Sequence, residues 1–155
     1  MSMFGGIDAA ASGLTAERLR MDVISNNLAN ANTTRTAEGG AYHRRYVVFE
    51  PREQWEKNQT FAGYLSDAVQ RKMGRRVGRG NGVRAVRIDE DRTQGPLVYD
   101  PGHPDANADG YVERPNVNPV SEMVDMITAS RAYEANVTTI NAAKSMAMKA
   151  MEIGK

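Results

Sequence analysis

A chain of 155 residues is enough for one domain of ordinary size. Its formal charge of +1 points neither to nucleic acid nor to an anionic membrane surface. It has no cysteine, which excludes disulfides, thiol catalysis and cysteine-ligated metals.

The apolar content is mostly Ala, Val and Met, with one Trp, three Phe and six Tyr. That mixture suits helix-on-helix contact better than a thick globular core. The N-terminus, Met1 to Asp8, has neither a basic n-region nor an apolar h-region, so no Sec signal peptide is expected. No apolar run approaches the ~18 residues of a membrane span. The chain is therefore expected in the cytoplasm, or exported by a route that leaves no cleavable signal.

The first segment, 1–34, reads as a helix followed by an Asn-rich end. Ile7, Leu14, Met21 and Leu28 recur at intervals of seven, and Ala10, Ile24 and Ala31 follow three of them by three residues. Glu17 interrupts the second row. The pattern is a heptad stripe along one helix face. Asp8 suits the positive end of the helix, and Gly13 weakens it by ~1 kcal/mol relative to Ala. The run Asn26-Asn27-Leu28-Ala29-Asn30-Ala31-Asn32-Thr33 collects poor helix formers, so the helix is expected to end there.

The middle segment, 35–117, has no helical period of comparable length. Tyr46–Phe49, Gly82–Ile88 and Pro96–Tyr99 are short β-type runs, which predicts a small antiparallel β-rich region with irregular loops. Phe61–Met73 reads equally as strand or short helix.

The last segment, 118–155, opens on Asn118-Pro119, a preferred N-cap followed by a preferred first helical residue. Met123, Met126, Ser130, Tyr133, Val137, Ile140, Lys144, Ala147 and Met151 then alternate at steps of three and four, and only Ser130 and Lys144 are not apolar. Gly154 is a plausible stop. The predicted fold is α+β: long N- and C-terminal helices forming a coiled coil, with the small β-rich region between them. Helices of ~50 Å and ~35–40 Å are too long for a compact domain with about 80 residues between them. They are expected to project from the middle and to bury their stripes on each other and on neighbours.

Three patterns suggest chemistry. Asp105-Ala106-Asn107-Ala108-Asp109-Gly110 matches the first half of an EF-hand loop. Its twelfth position is Asn116 rather than a bidentate Glu, and Pro104 and Pro115 replace the flanking helices, so an Asx-rich turn is the better reading. A basic glycine-rich loop carries Arg71, Lys72, Arg75, Arg76, Arg79, Arg84 and Arg87. It could neutralise phosphates, but it contains no aromatic residue for stacking, and Asp89-Glu90-Asp91 follows directly. Acidic surface on a neighbouring subunit is an equally good partner. His43 and His103 lie in no metal spacing and beside no nucleophile motif, so structural roles are expected for both, with His103 in a Pro101-Gly102-His103-Pro104 turn.

Asn26 to Thr33 resembles the Asn-rich signature after the first helix of the bacterial flagellar rod, hook and hook-associated protein family. Tyr42–Phe49, Pro101-Gly102-His103-Pro104, Gly110-Tyr111-Val112 with Pro115-Asn116-Val117-Asn118, Glu122–Ile127 and Ala129–Val137 are also similar to its short, proximal rod members. The likeness is close at both ends and partial in the middle, and the basic glycine loop has no counterpart. The distal rod and hook proteins carry larger middles.

The resemblance implies a non-enzymatic subunit of the proximal rod that transmits torque from motor to hook and is exported through the flagellar type III apparatus without signal cleavage. It implies a coiled coil of terminal helices lining the rod, with the β region outside. The implied partners are further copies, other rod proteins such as FlgB and FlgF, the adaptor FliE and the export apparatus. No cofactor, metal, nucleic acid or direct membrane insertion is expected. The apolar stripes are expected to be the assembly interface, and to stay largely disordered until assembly supplies a burial partner.

Overall fold

A computed structural model describes residues 3–52 and 82–153. The expectations for Phe61–Met73, for the basic loop up to position 81 and for a stop at Gly154 lie outside the described residues.

Helix α1 spans Met3–Ala29 and α2 spans Pro119–Ile153. Strands β1 (Arg45–Pro51) and β2 (Val83–Glu90) form one antiparallel pair. Strands β3 (Leu97–Tyr99) and β4 (Tyr111–Glu113) form another. The architecture is α+β, as read from the sequence. Strand β4 was not expected, because three residues before Pro115 are too few to show a period.

Helix α2 begins where Asn118-Pro119 placed it. The Asn118 Oδ1 accepts the Val120 N–H at 3.0 Å, and its carbonyl accepts the Glu122 N–H at 3.0 Å. Pro119 occupies the first helical position, where the missing N–H costs nothing.

The two helices run antiparallel. Asn27 meets Glu122, Arg20 meets Asp125, and Gly13 faces Asn136. The 35 residues of α2 rise about 52 Å and the 27 of α1 about 40 Å, so the longer helix outruns the shorter at the Met151 end. Gly13 matters for this approach: a methyl there would stand 2.8 Å from the Asn136 amide nitrogen.

The expectation that both helices project from the middle is corrected. The β1–β2 ribbon lies along α1. It is tied at one end by Asn27 to Arg45 and at the other by Ser12, whose Oγ accepts the Val83 N–H at 2.9 Å. Helix α1 thus packs against both α2 and the ribbon, and Ala10, Ser12, Ala16, Val23, Ile24 and Asn27 are its buried residues. Seven extended residues span about 23 Å, which fits the rise of α1 between positions 12 and 27. Gly82 turns the chain onto this ribbon with φ +94°, packed against the Ala9 backbone and Ser12. Only glycine adopts that backbone and leaves that space free.

The supposed calcium loop is a turn. Asn107 Oδ1 accepts the N–H groups of Asp109 (3.0 Å) and Tyr111 (2.8 Å). Asp105 is taken by the Thr34 hydroxyl at 2.9 Å and by Arg35, and its own N–H donates to His103 Nδ1 at 3.1 Å. Among the described residues no three His, Asp or Glu side chains gather to hold a metal ion, and no helix is long and apolar enough to cross a membrane.

Candidate functional site: the seam between the terminal helices

The most constrained place in the molecule is the end of the helix pair where α1 runs into the Asn-rich segment. Asn27 is fully buried, and all four of its hydrogen-bonding positions are used. Its Nδ2 donates to the Arg45 carbonyl (2.7 Å) and to Glu122 Oε2 (3.0 Å). Its Oδ1 accepts the Arg45 N–H (2.9 Å) and the Tyr42 hydroxyl (3.0 Å). The side-chain amide therefore pairs with both backbone groups of Arg45, as a neighbouring strand would.

Glu122 is also fully buried and comes from the first turn of α2, where a negative charge suits the helix dipole. Arg44 Nε donates to Glu122 Oε1 at 2.6 Å, and its Nη2 reaches Asp125 Oδ2 at 3.3 Å. Arg20 approaches Asp125 Oδ1 at 3.5 Å from α1. A buried carboxylate is tolerated because it is paired and hydrogen-bonded on both oxygens. Burial raises the Tyr42 phenol above its ordinary range; the Arg45 guanidinium opposes this, and Glu90 and Glu122 add to it. Arg45 lies 5.8 Å from the centre of the Tyr42 ring and bonds Glu90 through Nε and Nη2, which raises its own pKa.

The other Asn-rich residues serve local geometry. Asn26 and Asn30 bond back to the carbonyls four residues earlier, both at 2.9 Å. Thr33 bonds Asn30 and offers its carbonyl to Tyr42. Ala29 and Asn32 are exposed. Asn116 accepts the Arg44 N–H at 2.7 Å and donates to the carbonyls of Asp91 and Thr93, behind buried Pro115.

Among the contacts between the two helices, Gly13 meets Asn136, Arg20 meets Asp125 and Asn27 meets Glu122. Glu122 and Ala129 are fully buried on α2, and Met126, Tyr133, Ile140 and Ala147 continue their face at helical spacing, while Met123 beside Glu122 is 47% exposed. Ile24 is buried, and Ile7, Leu14, Met21, Met126, Tyr133, Val137, Ile140 and Ala147 are half-buried. Leu28 (39%) and Met151 (67%) are exposed. Asn27 and Glu122 satisfy each other at the end of the seam, and with Glu122 turned in, Met123 stands to one side of it. Tyr42, Arg44 and Glu122 were not singled out as site residues from the sequence. The available signal was an Asn-rich helix end with an Arg and a Glu elsewhere to meet it, which sequence spacing does not pair. Of the basic loop, Arg84 and Arg87 belong to β2 and pair with Glu50 and Asp89.

The site is an antiparallel helix pair, fixed at one end by a saturated polar cluster and carrying exposed apolar side chains, with no catalytic or metal-binding constellation among the described residues. Comparison with known proteins identifies the family. Residues 7–35 match the family model of the flagella basal body rod protein, and residues 108–153 match that of the flagellar basal body rod FlgEFG protein C-terminal region. The chain is 48% identical to a flagellar basal-body rod protein FlgC of Borreliella burgdorferi, over 99% of its own length and 98% of that relative. It is 46% identical to one of Bacillus subtilis over the whole of both chains, and 35% identical to one of Aquifex aeolicus over its full length and 99% of that relative. The chain belongs to the FlgC family of flagellar basal-body rod proteins. It is a structural subunit of the rod and assembles there with other flagellar proteins.

Proposed function

We propose that the chain builds the proximal rod by burying the apolar rows of its helix pair against neighbouring subunits, and that it acts without catalysis. The observation that carries this reading is the apolar surface left exposed on the helix pair, with Val120, Val124 and Ile127 beside Met123 and with Met146 and Met148 near Met151. Leu28, Met123 and Met151 are exposed on a helix pair whose central contacts are already made by other residues. Ile7, Leu14, Met21, Ile24, Met126, Tyr133, Val137, Ile140 and Ala147 continue the same rows. Each large side chain newly covered contributes ~1.5–3 kcal/mol, less the cost of ordering it. A surface that meets a different surface on the next copy produces an open filament, which a rod requires.

The neighbours are further copies, rod proteins such as FlgB and FlgF, and the adaptor FliE. The subunit is delivered by the flagellar export apparatus to the periplasmic part of the basal body without signal cleavage. It inserts into no membrane and binds no nucleic acid. The segments farthest from the Asn27 cluster gain their order on assembly.

The test is complementation of a strain lacking the gene. Met123→Asp and Leu28→Asp change side chains that are exposed in the subunit. They should leave its circular dichroism unchanged while abolishing rod formation and swimming. Full motility with both substitutions combined would refute the interface.

A further inference from the structure

We propose that Glu122, held by Asn27 and Arg44, is the positioning residue that sets the register of α2 on α1. Through that register it determines which side chains of α2 are presented to other subunits. Three observations lead there.

The first is the weakness of the other contacts that could fix a register: Arg20 and Asp125 meet at 3.5 Å with side chains 36% and 35% exposed, so water screens the pair. At the contact observed farther along, Gly13 faces Asn136, and the buried α2 residue between is Ala129. Small side chains permit close approach but resist sliding poorly, because they form shallow knobs and holes. A slide of one turn would still lay Tyr133 or Ile140 against Gly13, with apolar contact retained.

The second is that the Glu122 cluster has a single solution. Asn27 has no spare donor or acceptor, and two of its four bonds go to the backbone of Arg45. It is thus locked in orientation by β1 with one amide hydrogen left for α2. Glu122 fits that hydrogen on one oxygen and Arg44 on the other. Sliding α2 by a turn in either direction would bring Met126 or Asn118 toward Asn27, leaving the Asn27 donor and the Arg44 guanidinium without the carboxylate. Single buried polar groups specify helix register elsewhere in this way, often at a cost in stability.

The third is what the register displays. With Glu122 turned in, Val120, Met123, Val124 and Ile127 are all turned out, between 47% and 64% exposed. They form an apolar patch at steps of three and four directly beside a fully buried carboxylate. A purely apolar seam would instead draw Met123 inward and bring Glu122 to the surface. The buried acid keeps the apolar patch available to a second copy of the chain.

The register is measurable because the chain has no cysteine of its own. The sulfur of a cysteine at 136 would take the place of Asn136 Cγ, 3.2 Å from a Cβ built at 13, within reach of a disulfide. Full-length variants carry Gly13→Cys with Asn136→Cys, Tyr133→Cys or Ile140→Cys, and disulfide formation is timed under mild oxidation. In the otherwise native chain the 13–136 pair should close at least about tenfold faster than the other two. Adding Glu122→Leu should bring the three rates within about threefold while helix content by circular dichroism is retained. That substitution strands one amide hydrogen of Asn27, while Asn27 keeps the Arg45 carbonyl and Arg44 keeps Asp125, so helix content is the control for its cost in stability. Glu122→Gln should give an intermediate ratio, since its carbonyl oxygen still accepts from Asn27.

Equal rates in the native chain, or an undiminished 13–136 preference with Glu122→Leu, would overturn the proposal. So would loss of helix content in Glu122→Leu with the 13–136 preference intact, because the residue would then stabilise without selecting. The inference rests on the rod reading only for the use made of the displayed patch. The disulfide rates need no rod, so their outcome is separate from that of the motility assay.

Discussion

The two ends of the helix pair are built on different principles. At the Asn27 end, two fully buried polar side chains meet, every hydrogen-bonding position of Asn27 is filled, and three elements converge on one amide. At the other end, α2 outruns α1, and Met146, Met148 and Met151 stand exposed. Both ends expose apolar side chains, but only the Asn27 end sets them beside a complete polar cluster, with Val120, Met123, Val124 and Ile127 next to buried Glu122. Among the described residues, the open end carries its methionines without such a cluster.

Substitutions can break this contrast or sharpen it. The largest effect is expected from Asn27→Ala, which strips both backbone groups of Arg45 and one oxygen of Glu122 of their partner. A cost of about 3–5 kcal/mol should appear as a lowered urea midpoint. Met148→Ser, at the open end, should leave the same midpoint within about 0.5 kcal/mol. If the two costs were equal, the two ends would not differ as described. Gly82→Ala should cost about 2 kcal/mol, since it forces a methyl into Ser12 and a side chain into a left-handed backbone.

Smaller effects refine the picture. Asn118→Ala removes the cap of α2 and should cost about 1 kcal/mol, read by thermal denaturation. Tyr42→Phe deletes one bond to Asn27, also worth about 1 kcal/mol. It should also alter the alkaline limb. The folded chain holds Tyr42 neutral beyond the ordinary phenol range, so this contribution is complete below pH about 10 and is lost as pH rises through the raised value. A stability–pH profile of Tyr42→Phe should lack that decline. Arg84→Ala, which breaks an exposed pair with Glu50, should change stability by less than about 0.5 kcal/mol.

The seven-residue spacing and the Asn118-Pro119 start made both helices legible, because period and capping are local signals. Val83–Ile88 and Leu97–Tyr99 were legible as strands from their β-branched and aromatic content. The polar pairing at the end of the seam was not legible. A hydrophobic stripe locates the apolar face of a helix but not the polar residues that meet across it. Here Asn27 and Glu122 are separated by 95 positions, and no local pattern pairs them. Asn27 itself stood in plain sight within Asn26–Thr33, but composition alone reads such a run as a helix end. The helix does end within that run, at Ala29, and Asn27 stays helical under tertiary bonds to Arg45, Tyr42 and Glu122.

The bonds of Asn27 also imply an order of events. Its link to Arg45 closes 18 positions of chain, whereas its link to Glu122 closes 95. The longer closure costs about 1.5 kcal/mol more in chain entropy. Because the amide of Asn27 takes both backbone groups of Arg45, the first strand can settle on α1 before α2 arrives. Folding should then proceed with α1 and β1 in the nucleus and α2 docking last. φ-values near Tyr42 and Arg45 should be high, and those at Glu122 low. The last helix to dock is also the one that carries the exposed patch, so that patch takes its final shape only when the rest of the subunit is in place.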